Sequence, residues 1–200
     1  MQDGTSTKSL WYYLEVIKLA LRNNVKVMLY SNGIGPLERK GNIKKTKKIL
    51  DKVDLITLRD ERSYKTLREI GIENKNVKVT ADPALDLDIA DEKLGKAILK
   101  NEGVPSDKKL LGVSVRKWQN LGSDFETQIA NACDYAYEKY GYYTVFLPMQ
   151  SSRDTAIMQN IKRKMKHESA IIKKRYSVEG MLSIIKCFDM CIGMRLHTLI

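Results

Sequence analysis

The sequence predicts an α/β protein in which two Rossmann-like domains, each with a parallel sheet, face each other across a cleft. Short apolar runs rich in β-branched residues alternate with longer amphipathic runs along all 200 residues. Because about ten residues or more separate successive strands, the strands pair in parallel and helices cover both faces of each sheet. The alternation also occurs twice, on either side of a charge-rich stretch at 86–109.

The first half opens with an amphipathic helix, whose apolar run is interrupted at helical spacing by Glu15 and Lys18. The run VKVMLY is a strand by its length and β-branched content. A later helix has Asp60 as its cap and closes at Gly71. In order, the predicted elements are helix 9–23, strand 25–30, helix 42–52, strand 53–58, a helix between Asp60 and Gly71, and strand 77–80.

In the second half the alternation restarts after a segment that carries Gly103, Pro105 and Ser106. We therefore predict an N-terminal domain at 1–88, a helix and linker at 89–108, and a C-terminal domain at 109–200. The predicted elements are strand 110–115, helix 124–140, strand 143–148, helix 153–166, strand 170–174, helix 178–187 and strand 190–193.

The composition favours some classes of protein and excludes others. The net charge of +11 favours an anionic partner, although lysines spread over several helices are more typical of a solvated basic surface. No window approaches the ~20 apolar residues of a membrane span. The three cysteines fit neither a disulfide framework nor a zinc site, so we expect a reduced cytoplasm and no metal.

The candidate site lies where strands end, since ligands of open α/β sheets bind beyond the carboxyl ends of the strands. Three predicted strands end in an arginine, in the runs ITLR, VSVR and GMR: Arg59, Arg116 and Arg195. A guanidinium near a core needs an anionic partner, and its planar fork grips phosphate or carboxylate. Three such forks suit a small polyanion bound in the cleft.

Each arginine also has a structural interpretation. Arg59 can pair with a nearby carboxylate such as Asp60 or Asp82, and Arg116 can lie on the surface against Trp118. Their common position at the functional edge favours a binding site. His197, two residues after Arg195, is a core histidine or, beside that arginine, a candidate for acid–base chemistry near neutral pH.

These residues stand in motifs through which the chain resembles the polysaccharide pyruvyl transferase family, in particular its CsaB-type bacterial members. The motifs cover nearly all of the chain: QDGTSTKSLWYYL, YSNGIGPL, VDLITLRDERSYKTLREIGI, VTADPALDL, VSVRKW, VFLPMQ-x3-D and GMRLHTLI. The resemblance implies two Rossmann-like domains in a glycosyltransferase-B-like arrangement. Two departures are Asn32, where glutamine is common, and Gly4, where a bulkier residue is common.

The resemblance also implies an activity: transfer of a pyruvyl group from phosphoenolpyruvate to a cell-wall sugar, which forms a ketal. It implies that Arg59, Arg116 and Arg195 bind the donor and that His197 is catalytic. It places the acceptor sugar against residues of the QDGTS and SNGIG segments: Asp3, Thr5, Ser6, Asn32 and Gly33. No cofactor or metal is expected. The expected acceptor is a lipid-linked glycan containing N-acetylhexosamine, met in the cytoplasm at the inner face of an anionic membrane.

Family members carry a glycine-rich strand before the QD segment and continue beyond GMRLH, so the resemblance predicts a chain truncated at both ends.

Two other functions stay open. A nucleotide-sugar glycosyltransferase of the same two-domain build would need an acidic ribose ligand and a glycine-rich pyrophosphate site. A nucleic-acid-binding module is favoured by charge, but aromatic residues do not interleave with the lysines, so no nucleic acid is expected.

Overall fold

The protein folds into two compact units, Met1–Leu87 and Asp88–Ile200. The structure is a computed structural model. It describes residues 1–4, 6–87, 91–117, 122, 124–195 and 198.

The first unit is a three-stranded parallel sheet in the order β1-β2-β3. Helices alternate with its strands, as predicted, and a 3-10 helix at Pro83–Asp86 follows the last strand. The bounds are α1 (Thr7–Arg22), β1 (Met28–Asn32), α2 (Lys40–Leu50), β2 (Leu55–Leu58), α3 (Glu61–Glu69) and β3 (Val77–Val79).

The core of the first unit lies where α1 and α2 meet the sheet. Leu14 of α1 and Leu50 of α2 are fully buried with Ile56 of β2. The predicted cap of α3 is confirmed, because the Asp60 carboxylate accepts from the backbone N–H of Ser63 at 2.6 Å. This cap fixes the start of α3 directly after β2, so the residues that follow β2 are held at the sheet edge.

Strand β1 begins three residues later than predicted. The backbone before the strand makes hydrogen bonds outside the sheet. The Val25 N–H donates to the carbonyl oxygen of Ala20 near the end of α1, and the Val27 N–H donates to the Asp54 carboxylate. The strand then continues to Asn32 through Ser31, whose positive φ of 44° breaks the register with β2. The predicted loop at SNGIG is therefore strand for its first two residues, and the irregularity lies at the candidate site.

The second unit is a four-stranded parallel sheet in the order β6-β5-β4-β7. The chain runs outward from β4 to β6 and then returns to place β7 on the other side of β4. The space between β4 and β7 is thus the topological switch point of this sheet. The bounds are α4 (Glu92–Asn101), β4 (Lys109–Ser114), α5 (Phe125–Tyr140), β5 (Tyr142–Phe146), α6 (Ser151–Lys164), β6 (Ser169–Ile171), α7 (Val178–Lys186) and β7 (Met190–Gly193).

Helices cover both faces of this sheet, as its near-continuous apolar strands predict. Successive residues of β5, Val145 and Phe146, point into two different core clusters. One cluster is closed by α4 and α7, which approach so closely that a Cβ on Gly95 would lie 2.1 Å from the carbonyl oxygen of Ser183. The other is closed by α5 and α6. The predicted fold class, α/β with parallel sheets, is confirmed.

Helix α4 lies in the stretch that the sequence assigns to a helix and linker. Its Ile98 and Leu99 are buried in the core of the second unit. Among the described residues, no helix has both the length and the apolar character needed to span a membrane.

Candidate functional site

Two of the predicted arginines occupy equivalent positions in the second unit. Ser114, the last residue of β4, is paired in register with Gly193, the last residue of β7. Arg116 and Arg195 each follow two residues later. The parallel pairing therefore places both arginines beyond the carboxyl ends of neighbouring strands, at the switch point of the sheet. This is the position at which open α/β sheets bind ligands.

Arg195 is held by a buried carboxylate on α6. Its Nη2 donates to both oxygens of Asp154, at 2.7 and 2.9 Å, and the Asp154 side chain is 1% exposed. The backbone N–H of Gln150 donates to the same carboxylate at 2.8 Å. The Arg195 side chain itself is 23% exposed, and its buried Nε has no hydrogen-bond partner among the residues that the structure describes.

Two buried hydroxyl groups follow in the same part of the sequence: Ser114 ends β4, and Thr198 comes three residues after Arg195. Ser114 Oγ and Thr198 Oγ1 also lack a hydrogen-bond partner within the described part of the chain. A buried polar group left without a partner costs roughly 1 to 3 kcal/mol. A ligand or water would complete these groups. Together with the two guanidinium groups, the Ser114 hydroxyl gives this edge donors of the kind that an oxyanion requires.

The third predicted arginine, Arg59, lies in the first unit directly after β2. Its Nη1 is 3.2 Å from Asp82 Oδ2 and its Nε is 3.4 Å from Asp60 Oδ2, so the structural ion pairs considered from the sequence are both present. Its guanidinium also lies against the backbone of Gly33. A Cβ at that glycine would come within 2.8 Å of the guanidinium carbon. A side chain at this position would therefore displace the Arg59 guanidinium.

Arg59 lines an open cavity of about 810 Å³. The cavity is also lined by the SNGIG segment and by the start of α3, and the Ser63 hydroxyl accepts from the backbone N–H of Ile34 at 2.9 Å. The structure thus brings together Arg59, predicted to bind the donor, with Asn32 and Gly33, predicted to bind the acceptor.

The other predicted acceptor residues have different surroundings. Asp3 is 4% exposed, and its carboxylate accepts from the backbone N–H groups of Glu38 and Arg39 and from the Asn42 amide. These contacts hold the chain at the start of α2, which is a structural role. Ser6 caps α1 by accepting from the backbone N–H of Ser9 at 3.3 Å.

The remaining candidates, Thr5 and the catalytic candidate His197, lie outside the described residues. Their roles stay predictions. Within the described ranges, no group of three or more His, Cys, Asp or Glu side chains is placed to hold a metal ion.

The sequence interpretation missed Asp154 as part of the site. The motif VFLPMQ-x3-D contains it, but nothing local indicates that an aspartate one turn into α6 will meet an arginine 41 residues later. The available signal was its position just after a strand end, four residues beyond Gln150.

Comparison with solved structures supports the fold. The chain is similar to a S. aureus MnaA–UDP co-structure, with a TM-score of 0.65 and 15% identity over 96% of this chain and 58% of that one. It is also similar to UDP-GlcNAc 2-epimerase from Methanocaldococcus jannaschii, with a TM-score of 0.56 and 15% identity over 89% of this chain and 52% of that one. The chain thus spans a little over half of either protein, and at this identity the likeness concerns the fold alone.

The curated proteins include no match to this chain. The family described as Polysaccharide pyruvyl transferase matches it over residues 1–200. That match confirms the family predicted from the motifs QDGTS, LRDE and GMRLH. By this match over its whole length, the chain belongs to the polysaccharide pyruvyl transferase family, a family of transferase enzymes.

Proposed function

We propose that this protein transfers the pyruvyl group of phosphoenolpyruvate to a sugar of a cell-wall polysaccharide precursor, forming a pyruvate ketal and releasing phosphate. Family membership supports pyruvyl transfer in general. The observation that carries the proposed donor is the pair Arg116 and Arg195, which stand at equivalent positions beyond β4 and β7.

The chemistry of the donor requires such a pair. Phosphoenolpyruvate carries a phosphate and a carboxylate, and the arginine fork matches the geometry of both groups. The buried hydroxyl group of Ser114 adds a donor at the end of β4. In this proposal Arg59 is a further donor-binding cation, as the LRDE motif implies, and part of its charge is balanced by Asp82.

The reaction adds two hydroxyl groups of one sugar to one carbon of the donor. The methylene carbon is protonated while the first hydroxyl adds to the adjacent carbon. Phosphate then leaves, and the second hydroxyl closes the ketal ring. Positive charge develops at the reacting carbon as phosphate departs, so fixed charges aimed at the phosphate lower the barrier. In this proposal His197, two residues after Arg195, moves the protons.

We assign the acceptor to the first unit. The cavity of about 810 Å³ beside Asn32 and Gly33 has the size of a site for a small sugar. In this proposal the acceptor is a lipid-linked glycan containing N-acetylhexosamine, and the enzyme acts in the cytoplasm at the inner face of the membrane. The excess of lysine and arginine favours peripheral contact with that anionic surface.

The test is an incubation of the protein with phosphoenolpyruvate and lipid-linked N-acetylhexosamine glycans. The expected result is release of phosphate together with a mass gain of one pyruvyl group on the glycan. A parallel incubation contains nucleotide sugars in place of phosphoenolpyruvate. Release of a nucleoside diphosphate there, with no ketal in the first reaction, would contradict the proposal and favour a glycosyltransferase.

A further inference from the structure

The contact between Arg195 and Asp154 is unusual for a structural ion pair. Both carboxylate oxygens accept from one nitrogen of the guanidinium, Nη2. This contact leaves the buried Nε of Arg195 without a hydrogen-bond partner among the described residues. The carboxylate is itself fixed, because it is buried and accepts from the backbone N–H of Gln150 at the start of α6.

Around a purely structural ion pair, the neighbouring polar groups should also have hydrogen-bond partners. Burying two charges is costly, and the attraction between them offsets this cost only when the remaining hydrogen-bonding groups also find partners. Here the buried Nε of Arg195 and the buried hydroxyl of Ser114 have none among the described residues. Both lie at the ends of neighbouring strands, since Ser114 is in register with Gly193. These two groups therefore have donors available for a bound ligand.

We propose that Asp154 is a positioning residue for the donor: it holds Arg195 through Nη2 so that the remaining N–H groups of the guanidinium are presented to an oxyanion at the end of β7. This inference rests on the proposed function, which identifies that oxyanion as phosphoenolpyruvate. Asp154 does not touch the donor and acts through Arg195. Fixing the guanidinium before binding removes the rotamer entropy that a long, mobile side chain would otherwise lose when the donor binds.

The first experiment measures phosphoenolpyruvate affinity by titration calorimetry for the wild-type chain and for Asp154→Asn. The amide keeps the size of the side chain but removes the charge that holds Nη2. We expect affinity to weaken about tenfold, within the range of couplings measured inside one salt-bridge network. Asp154→Glu, which keeps the charge but shifts the carboxylate, serves if Asp154→Asn does not fold, and the same weakening is expected.

Asp134 on α5 offers a matched control. It is also a buried aspartate of the second unit, 4% exposed, and its carboxylate accepts from the backbone N–H groups of Lys166 and His167. Asp134→Asn should lower the melting temperature and leave the donor affinity of the folded protein unchanged. An equal loss of affinity in both variants would show that Asp154 acts only through stability.

A double-mutant cycle separates positioning from other effects. In an Arg195→Gln background, Asp154→Asn should have almost no further effect on donor affinity, because the group it positions is gone. Additive losses would overturn the inference. A wild-type chain that binds phosphoenolpyruvate, with Asp154→Asn equal to wild type, would overturn the inference and leave the proposed function standing. A wild-type chain that does not bind phosphoenolpyruvate would overturn both.

Discussion

At the scale of single residues, Arg59 and Arg195 have carboxylate partners that differ in burial. Arg195 is gripped by the buried Asp154, whereas Arg59 is shared between Asp60 and Asp82. Arg116 is half-buried beyond β4. In the sequence the three arginines looked alike, since each follows an apolar strand. The carboxylate that holds Arg195 is fully buried, whereas the two carboxylates beside Arg59 are partly exposed.

We predict that Arg59→Ala and Arg116→Ala weaken donor affinity far more than acceptor affinity. Each variant loses charge-assisted contacts worth about 1.5 to 3 kcal/mol, which corresponds to a tenfold to hundredfold loss. Lysine should rescue only in part, because a point charge does not reproduce the fork. Titration of each variant with phosphoenolpyruvate and with acceptor measures both effects.

The two variants should differ in stability. Arg59→Ala leaves Asp82, whose side chain is mostly buried, without this cation, so its melting temperature should fall as well. If folded Arg59→Ala keeps its donor affinity, Arg59 has the structural role that its ion pairs also allow. Unchanged donor affinity in folded Arg116→Ala would remove that residue from the site.

We predict that His197→Gln lowers turnover by roughly two to four orders of magnitude, the usual contribution of general acid–base catalysis, while donor affinity falls much less. Glutamine keeps hydrogen bonding and similar size but cannot titrate. Single-turnover rates normalised to folded protein measure the effect. Near wild-type turnover in this variant would show that another group transfers the proton.

Asp60 is poorly suited to replace His197. Burial raises its pKa, but the hydrogen bonds from Ser63 and the charge of Arg59 outweigh burial, and the pKa is lowered overall. A carboxyl group with a lowered pKa is ionised at neutral pH and is a weak acid for protonating carbon.

At the scale of helices and strands, carboxylates and hydroxyls at helix starts hold the chain of the first unit. Asp60 caps α3, Ser6 caps α1, and Asp3 binds the backbone before α2. The backbone N–H groups at a helix start lack partners within the helix, so a side-chain oxygen there stabilises the helix. The part of the QDGTS segment that the structure describes therefore organises helix ends.

We predict that Asp3→Asn removes a pH-dependent part of the stability. Burial raises the pKa of Asp3, but hydrogen bonds from Asn42, Glu38 and Arg39 outweigh it, so the folded-state pKa lies below the ordinary 3.8. A lowered folded pKa means that the stabilisation is fully present above the unfolded pKa and is lost as pH falls through the folded one.

Urea unfolding of wild type and Asp3→Asn from pH 3 to pH 7 measures this effect. The difference in the free energy of unfolding should be about 2 kcal/mol at pH 7 and should shrink below about pH 4. A difference that stays constant with pH would show that the carboxylate charge is not what stabilises the segment. If the folded variant loses its affinity for the acceptor at pH 7, Asp3 belongs to the acceptor site.

At the scale of the whole molecule, the net charge of +11 acts on an anionic donor in addition to the local arginines. We predict that the KM for phosphoenolpyruvate rises several-fold between about 0.1 M and 1 M ionic strength, since the Debye length falls from about 10 Å to about 3 Å. Sodium chloride titrations of the initial rate measure it. Arg116→Ala should show a smaller rise, and an equal rise in KM for acceptor would contradict a donor-specific effect.

The order and type of the elements follow from the sequence alone. Apolar periodicity reports which residues face a core, and a run such as VDLITL or LLGVSV has the length and branching of a buried strand. Parallel pairing follows from the helices between strands, and the rule for strand ends then identifies Arg59, Arg116 and Arg195 as site candidates. These inferences use local patterns and general rules, which explains why the fold class was predictable. The family was predicted from the resemblance of the motifs.

The tertiary structure decided which of those residues meet. Nothing local places β7 beside β4 and not beside β6, yet that pairing brings Arg116 and Arg195 to equivalent positions. The ion pair between Arg195 and Asp154 likewise joins residues that are 41 positions apart. Partners so distant in sequence are selected by packing of the whole unit, because a buried charge is stable only where the fold brings its complement within hydrogen-bonding distance.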